Sequence, residues 1–305
     1  MPPTPETPST PWRHGFFKAQ LRQLSFGQTY EDSAIELNAF GPRSRVFCIA
    51  GAGYTARALA AAGHRVTAVD INPVQLRYAQ SRAAGGPLRR GIAENLLALG
   101  RNLAKFAGWS RGKVADFLNL SDHAEQIEYW DRRLDTQTWR VAVDTLLAPR
   151  LLGTCYANPF IESLPQDFGL RLRQRLRRTW ATHSNRSNPY AASLLSGRPP
   201  EEPNSSQSQI QFVCVDAADF LESCPPAVFD GFSLSNIADG VSPDYLRRML
   251  IAIDRAAAPG AIFVARTFAE PGPNMGANLA QLDRSLLWGI VEVSRTAGGL
   301  SCYTC

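Results

Sequence analysis

Short apolar runs and helix-periodic stretches alternate along this chain, stop, and then resume. The stretch "RVFCI" at 45–49 places β-branched and aromatic residues ahead of a glycine break, the pattern of a short buried strand. After it, "YTARALAAAG" has the composition of a helix closed by Gly63. "HRVTAVDIN" at 64–72 is the next strand, and Pro73 opens the helix "PVQLRYAQSRAA" at a first-turn position where its missing N–H is harmless. Strand, helix, strand and helix in this order predict parallel pairing in an α/β sheet.

From residue 89 to about residue 205 the strand pattern disappears. "GIAENLLALGRNLAKFAGW", "HAEQIEYWDRRLDTQTWRVAVDTLLAP" and "DFGLRLRQRLRRTWATH" space apolar residues three and four apart, as helices do, and the polar, proline-rich "SGRPPEEPNSSQSQ" ends the region. Strands resume with "IQFVCVDAADFL", "FDGFSLSNIADG" and, beyond the helical "DYLRRMLIAIDRAAAPG", with "AIFVART". The tail "LLWGIVEVSRTAGGLSCYTC" is expected to close the sheet as a hairpin turning at Gly298 and Gly299. The expected organisation is a tail and covering segment at 1–40, the first part of a Rossmann-like domain at 41–88, a helical insertion forming a cap at 89–205, and the second part of the domain at 206–305.

Composition narrows the function classes. A hydrophobic content of 45% over 305 residues supports a sizeable core, and charged residues make up only 19% with a net charge of +5, too mild a bias to indicate nucleic acid. The six cysteines are scattered without a paired C-x-x-C, which fits reduced thiols and no metal site. "MPPTPETPSTPW" lacks the charged start and apolar centre of a signal peptide, and no run of about 18 apolar residues occurs, so a soluble cytoplasmic protein with a disordered N-terminal tail is expected. His64, following a helix-ending glycine, is expected at the surface.

The turn after the first strand carries the candidate chemistry. Ala50, Gly51 and Gly53 let backbone approach a ligand closely, and the following helix offers unpaired N–H groups at its positive end. Asp70, with Ile71 and Asn72 after it, ends the second strand about twenty residues on, where a carboxylate accepts both hydroxyl protons of a ribose. The third glycine of the dinucleotide fingerprint is replaced by Ala56, and no Walker lysine motif is present. Asp216, beside small Ala217, ends a third strand and suits an adenine amino group. Acids at both strand ends favour S-adenosylmethionine over NAD; capping of the following helix is the competing role for Asp216.

"FGQTYEDSAIELNAF", "VFCIAGAGYTARALAAAGHRVTAVDINPVQLRYAQSRAA" and "FDGFSLSNIADG" resemble the adenosylmethionine:diacylglycerol 3-amino-3-carboxypropyl transferases that begin betaine-lipid synthesis. The resemblance spans most of the sheet region and departs in the first turn, where Gly51 and Thr55 stand in place of an expected serine and asparagine. It implies an α/β fold of the class I adenosylmethionine-dependent methyltransferase type with a large helical insertion. The implied activity is transfer of the aminocarboxypropyl group to a hydroxyl, with methylthioadenosine as by-product. For that chemistry the methionyl arm must be held so that its γ-carbon, not its methyl, faces the acceptor. Arg266, ending "AIFVART", is the candidate for its carboxylate, against an ordinary ion-pair role. Tyr30 and Glu31 are candidates to fold over the donor, Ser235 and Asn236 to shape the pocket, and Asp239, or else Tyr30, to remove the acceptor proton. Helix capping competes for Glu31 and Asp239.

Two acceptor classes stay open, a lipid glycerol hydroxyl and a small soluble alcohol or phenol of natural-product type. The arginine-rich stretch "RLRQRLRR" at 171–178 is a candidate for at most peripheral membrane contact, against a solvated helix face. Aromatic residues of the insertion (Trp109, Tyr129, Trp130, Trp139, Tyr156, Phe160) are expected mainly in its core. A methyltransferase and a non-catalytic adenosylmethionine-binding or partner-binding protein on the same fold are the alternatives; oligomeric state is left open.

Overall fold

Val46, Phe47 and Cys48 at the centre of β1 (Arg45–Ile49) are all buried, as a central strand covered on both faces requires. Alternation then sends Phe47 to one face and Val46 and Cys48 to the other. In this computed structural model, which describes residues 17, 23–201, 203, 209–272, 275 and 277–295, β1 lies inside a six-stranded α/β sheet. Its other strands are β2 (Arg65–Asp70), β3 (Ile210–Cys214), β4 (Phe229–Ser233), β5 (Ala257–Thr267) and β6 (Ile290–Ser294). The spatial order is β3-β2-β1-β4-β5-β6; the first five strands are parallel, and β6 runs antiparallel to β5, pairing Thr267 with Ile290 and Phe263 with Ser294. The expected closure at the β5 edge therefore comes through the loop 268–289, and Gly298 and Gly299 lie outside the described residues.

Helices α1 (Ala34–Ala39), α2 (Tyr54–Ala61) and α3 (Pro73–Ala83) precede the long helical stretch. That stretch holds α4 (Ile92–Phe106), α5 (Arg111–Leu118), α6 (His123–Tyr129), a π-turn at Trp130–Leu134, α7 (Gln137–Leu146), α8 (Pro149–Leu152), α9 (Asn158–Glu162), α10 (Phe168–Thr182) and α11 (Pro189–Ser196). The chain then re-enters the sheet, with α12 (Ala217–Ser223) and α13 (Pro243–Ala256) between its later strands. One face of the sheet packs Phe47, Phe232 and Phe263 on Leu221, Met249 and Ile253 of α12 and α13. The other packs Val46, Cys48 and Val264 on Ile35, Leu59 and Leu76 of the first three helices. A third cluster, around Trp109, Phe117, Trp130, Trp139 and Trp180, is the helical region's own core.

Two details differ from the sequence expectation. His64 is buried, its Nδ1 accepting from the Ser44 N–H at 3.2 Å, because the turn after Gly63 folds back under β1. The α10 arginines are engaged within the protein: Arg171 pairs with Asp167, Arg173 with Asp144 and Arg177 with Asp131, while Arg175 and Arg178 donate to the carbonyls of Leu287 and Trp288. That helix is a docking element between the helical region and the β5–β6 loop, not a free basic face. No described helix is long and apolar enough to cross a membrane.

Candidate functional site

The strand order reverses direction beside β1, between β2 and β4, the place where an open α/β sheet leaves a crevice at its carboxyl edge. A cavity of about 180 Å³ opens there. Gly51 lines it with a φ of 48°, in the left-handed region where a side chain is disfavoured, and a Cβ at that position would meet no atom within 4 Å. The backbone thus faces open space at the start of α2. Gly53 serves differently: it lies outside the lining, its φ is 76°, and a Cβ would come within 3.0 Å of Ala79. Its part in the expected donor-binding turn is to seat α2 against α3.

Asp70, Ile71, Asn72, Asp216, Ala217, Ser235, Asn236, Ala50, Tyr30 and Glu31 all line this cavity, although they come from positions 30 to 236 of the chain. Asp70 accepts from the Asn72 N–H at 2.9 Å, and burial pushes its carboxyl up to about 7 against the opposing pull of backbone N–H groups at Asn72 and Gly51. Asn72 uses its own side chain to cap α3, accepting from the Val74 N–H at 2.9 Å. Asp216 caps α12 through Oδ1, taking the Ala218 N–H at 2.9 Å, and accepts the Tyr245 hydroxyl at Oδ2 at 2.8 Å. The capping role is real, yet a carboxylate has about four lone-pair sites, so Oδ2 retains one beyond its bond to Tyr245.

At the other end of the cavity Ser235, a non-glycine residue at φ 54°, donates its hydroxyl to Glu31. Such a conformation costs about 1–3 kcal/mol and persists here because the Arg266 N–H holds the Ser235 carbonyl at 2.8 Å. Burial holds Glu31 above the usual carboxylate range, although Arg266 lies 3.8 Å away.

Three candidate roles are corrected by this geometry. Arg266 is fully buried outside the cavity: Nε donates to Asp283 at 3.0 Å, Nη1 to Glu36 at 2.5 Å, and Nη2 to Glu36 and to the Asp32 carbonyl, both at 3.0 Å. Its fork is turned to these protein acceptors and away from the cavity lining. Asp239 also lies outside the lining; it takes the Thr267 hydroxyl, the Phe268 N–H at 3.1 Å and the Asn236 amide at 3.1 Å, and so ties the loop after β4 to the end of β5. Its carboxyl is raised by burial to about 6, and both its oxygens are engaged by these protein donors. Tyr30 lines the cavity, yet its hydroxyl donates to Glu94 at 2.6 Å, and burial first and that carboxylate next raise its pKa far out of the range of a working base.

The segment 25–31 crosses the cavity as a strap, and the residues fastening it carry no local sequence signal. Gln75 accepts the N–H groups of Ser25 and Phe26 at 3.0 Å, and its amide donates to the carbonyls of Phe26 and Gly51 at 2.8 Å. The Tyr78 hydroxyl donates to the Gly27 carbonyl at 2.6 Å. Glu94 accepts from the Gly27 N–H at 2.8 Å, the Gly91 N–H at 2.6 Å, the Gln28 N–H at 3.3 Å and the Tyr30 hydroxyl. Trp288 adds an indole N–H to the Tyr30 carbonyl at 3.1 Å. The only hint was polarity at Gln75 and Tyr78 on the buried side of α3.

Because one carboxylate holds several strap donors, Glu94→Ala is expected to speed amide hydrogen exchange at Gly27 and Gln28 by about 10- to 100-fold while leaving the sheet amides protected. Unchanged protection at those two amides would refute the fastening role. Comparison with protein-family models, curated proteins and solved structures finds no match to this chain.

Proposed function

We propose that the chain is an S-adenosylmethionine-dependent transferase that moves the 3-amino-3-carboxypropyl group to a hydroxyl acceptor. One observation carries the donor assignment: Glu31, Asp70 and Asp216 line the cavity, and no lysine or arginine is among its described lining residues. A dinucleotide or nucleoside triphosphate would bring phosphate anions to a cleft that opposes them, whereas a sulfonium cation is attracted. In this reading Asp70 takes the ribose hydroxyls, Asp216 the adenine amino group, and Gly51 admits the methionyl arm. The arm's carboxylate, denied Arg266, falls to hydroxyl and N–H donors at the α2 N-terminus, Thr55 among them.

The antiparallel β6 also departs from the all-parallel dinucleotide-binding sheet and fits a methyltransferase-type fold. Choice of the aminocarboxypropyl group rests on the resemblance of the strap and strand-end segments. In the transfer, the acceptor oxygen forms a bond to the γ-carbon as the carbon–sulfur bond breaks. The electron pair returns to sulfur, leaving neutral methylthioadenosine, and the hydroxyl proton passes to a base. With Asp239 and Tyr30 removed from that role, Glu31 is the cavity carboxylate left to receive it.

By-product analysis tests the group transferred. Incubated with S-adenosylmethionine and extracts containing hydroxyl acceptors, the protein should release methylthioadenosine. Release of S-adenosylhomocysteine alone would instead make it a methyltransferase.

A further inference from the structure

Behind the strap lies a second, smaller cavity of about 40 Å³, on the far side of Gln28, which lines both. That is room for about three waters, the size of one phosphate group. Arg89, Arg90 and Arg101 line it together with Glu94. Three arginines against one carboxylate leave a net charge of two among the residues around the cavity. Glu94 cannot serve as their hydrogen-bond partner, since its lone pairs are taken by the Gly27, Gln28 and Gly91 N–H groups and the Tyr30 hydroxyl. Among the described residues no acid pairs with any of the three arginines; Arg101 makes one contact, from Nη1 to the Leu194 carbonyl at 3.3 Å.

Arg101 is half-buried and held in place. Its guanidinium lies where a Cβ on Gly197 would approach within 3.0 Å, so the bare glycine at the end of α11 makes room for it. Burial works against its protonated form, Tyr30 and Glu94 favour that form, and the charge of Arg90 opposes it. Folding has gathered like charges around a hole without neutralising them, an arrangement that an oxyanion seated between them relieves through charge-assisted bonds.

We propose that Arg89, Arg90 and Arg101 form a phosphoryl-binding subsite that receives an anionic group of the acceptor, one residue's width from the donor cavity. A net positive charge of two matches a phosphate monoester dianion better than a single carboxylate. Its assignment to the acceptor rests on the transferase reading above; the anion site itself does not.

The test is calorimetry on the full chain at constant ionic strength, titrating inorganic phosphate and, separately, S-adenosylmethionine. The unmodified protein is expected to bind phosphate, Arg101→Gln to weaken that binding by about tenfold or more, and Arg89→Gln/Arg90→Gln to do the same from exposed positions that do not threaten folding. Adenosylmethionine affinity should stay unchanged in these variants. No phosphate binding, or equal binding in all three chains, overturns the subsite. If phosphate binds and adenosylmethionine does not, the donor reading fails and the anion site stands. Glycerol 3-phosphate and vesicles containing phosphatidic acid then separate the sources: a response to the former places the phosphoryl group on a soluble acceptor, a response to vesicles alone places it on a lipid headgroup.

Discussion

Arg266→Met is expected to lose about 3–5 kcal/mol of folding stability, the cost of leaving buried charges without their partner. Glu36 is fully buried and Asp283 nearly so, and both aim their carboxylates at this one guanidinium, which also holds the Asp32 carbonyl. Burial, with the charge of Asp32 adding to it, raises Asp283, and Arg266 is the main opposing influence. Methionine preserves much of the volume, so the loss reports charge and hydrogen bonding more than packing. Denaturant unfolding of the single variant and of Arg266→Met/Glu36→Gln tests this, and the second change should recover part of the loss. A single variant within about 1 kcal/mol of the unmodified protein would show that Arg266 is not the hub.

Asp70→Ala is expected to weaken S-adenosylmethionine binding by at least an order of magnitude, roughly 1.4 kcal/mol or more, through loss of the ribose acceptor and of negative charge beside the sulfonium. The pH dependence gives the same assignment a separate check. Burial raises the Asp70 carboxyl to about 7, and a cationic donor favours its ionised form. Affinity should therefore rise as pH increases through about 7, and Asp70→Asn should remove that rise. Unchanged affinity in the alanine variant, or an intact pH dependence in the asparagine variant, would dismiss the ribose role.

The strand-end carboxylates were legible because β-strand termini and glycine turns follow from local pattern. Asp70 and Asp216 come to one cavity for that reason. Arg266 stands at the carboxyl edge of the sheet that its position in "AIFVART" predicts, but its neighbours are Glu36 and Asp283. Alternation along β5 decides where its side chain points, and its acid partner Glu36 is 230 residues away in sequence. Asp239 was misplaced in the same way, its bonds running to Thr267 and Phe268 of a strand end that no local spacing announces. Gln75 and Glu94 were missed because a polar residue on a helix gives no sign that it will meet backbone 49 or 67 residues distant. Local period shows which residues reach the carboxyl edge; long-range closure decides which of them face the ligand.

The acid-lined cavity, with no lysine or arginine among its described lining residues, is tested most directly by comparing S-adenosylmethionine with NAD and ATP in calorimetric titrations of the unmodified chain. S-adenosylmethionine should bind and the two phosphate-bearing ligands should not compete with it. Displacement of S-adenosylmethionine by NAD or ATP would contradict a site built by Glu31, Asp70 and Asp216 for a sulfonium nucleoside, whereas non-competitive binding of either would belong to the arginine subsite.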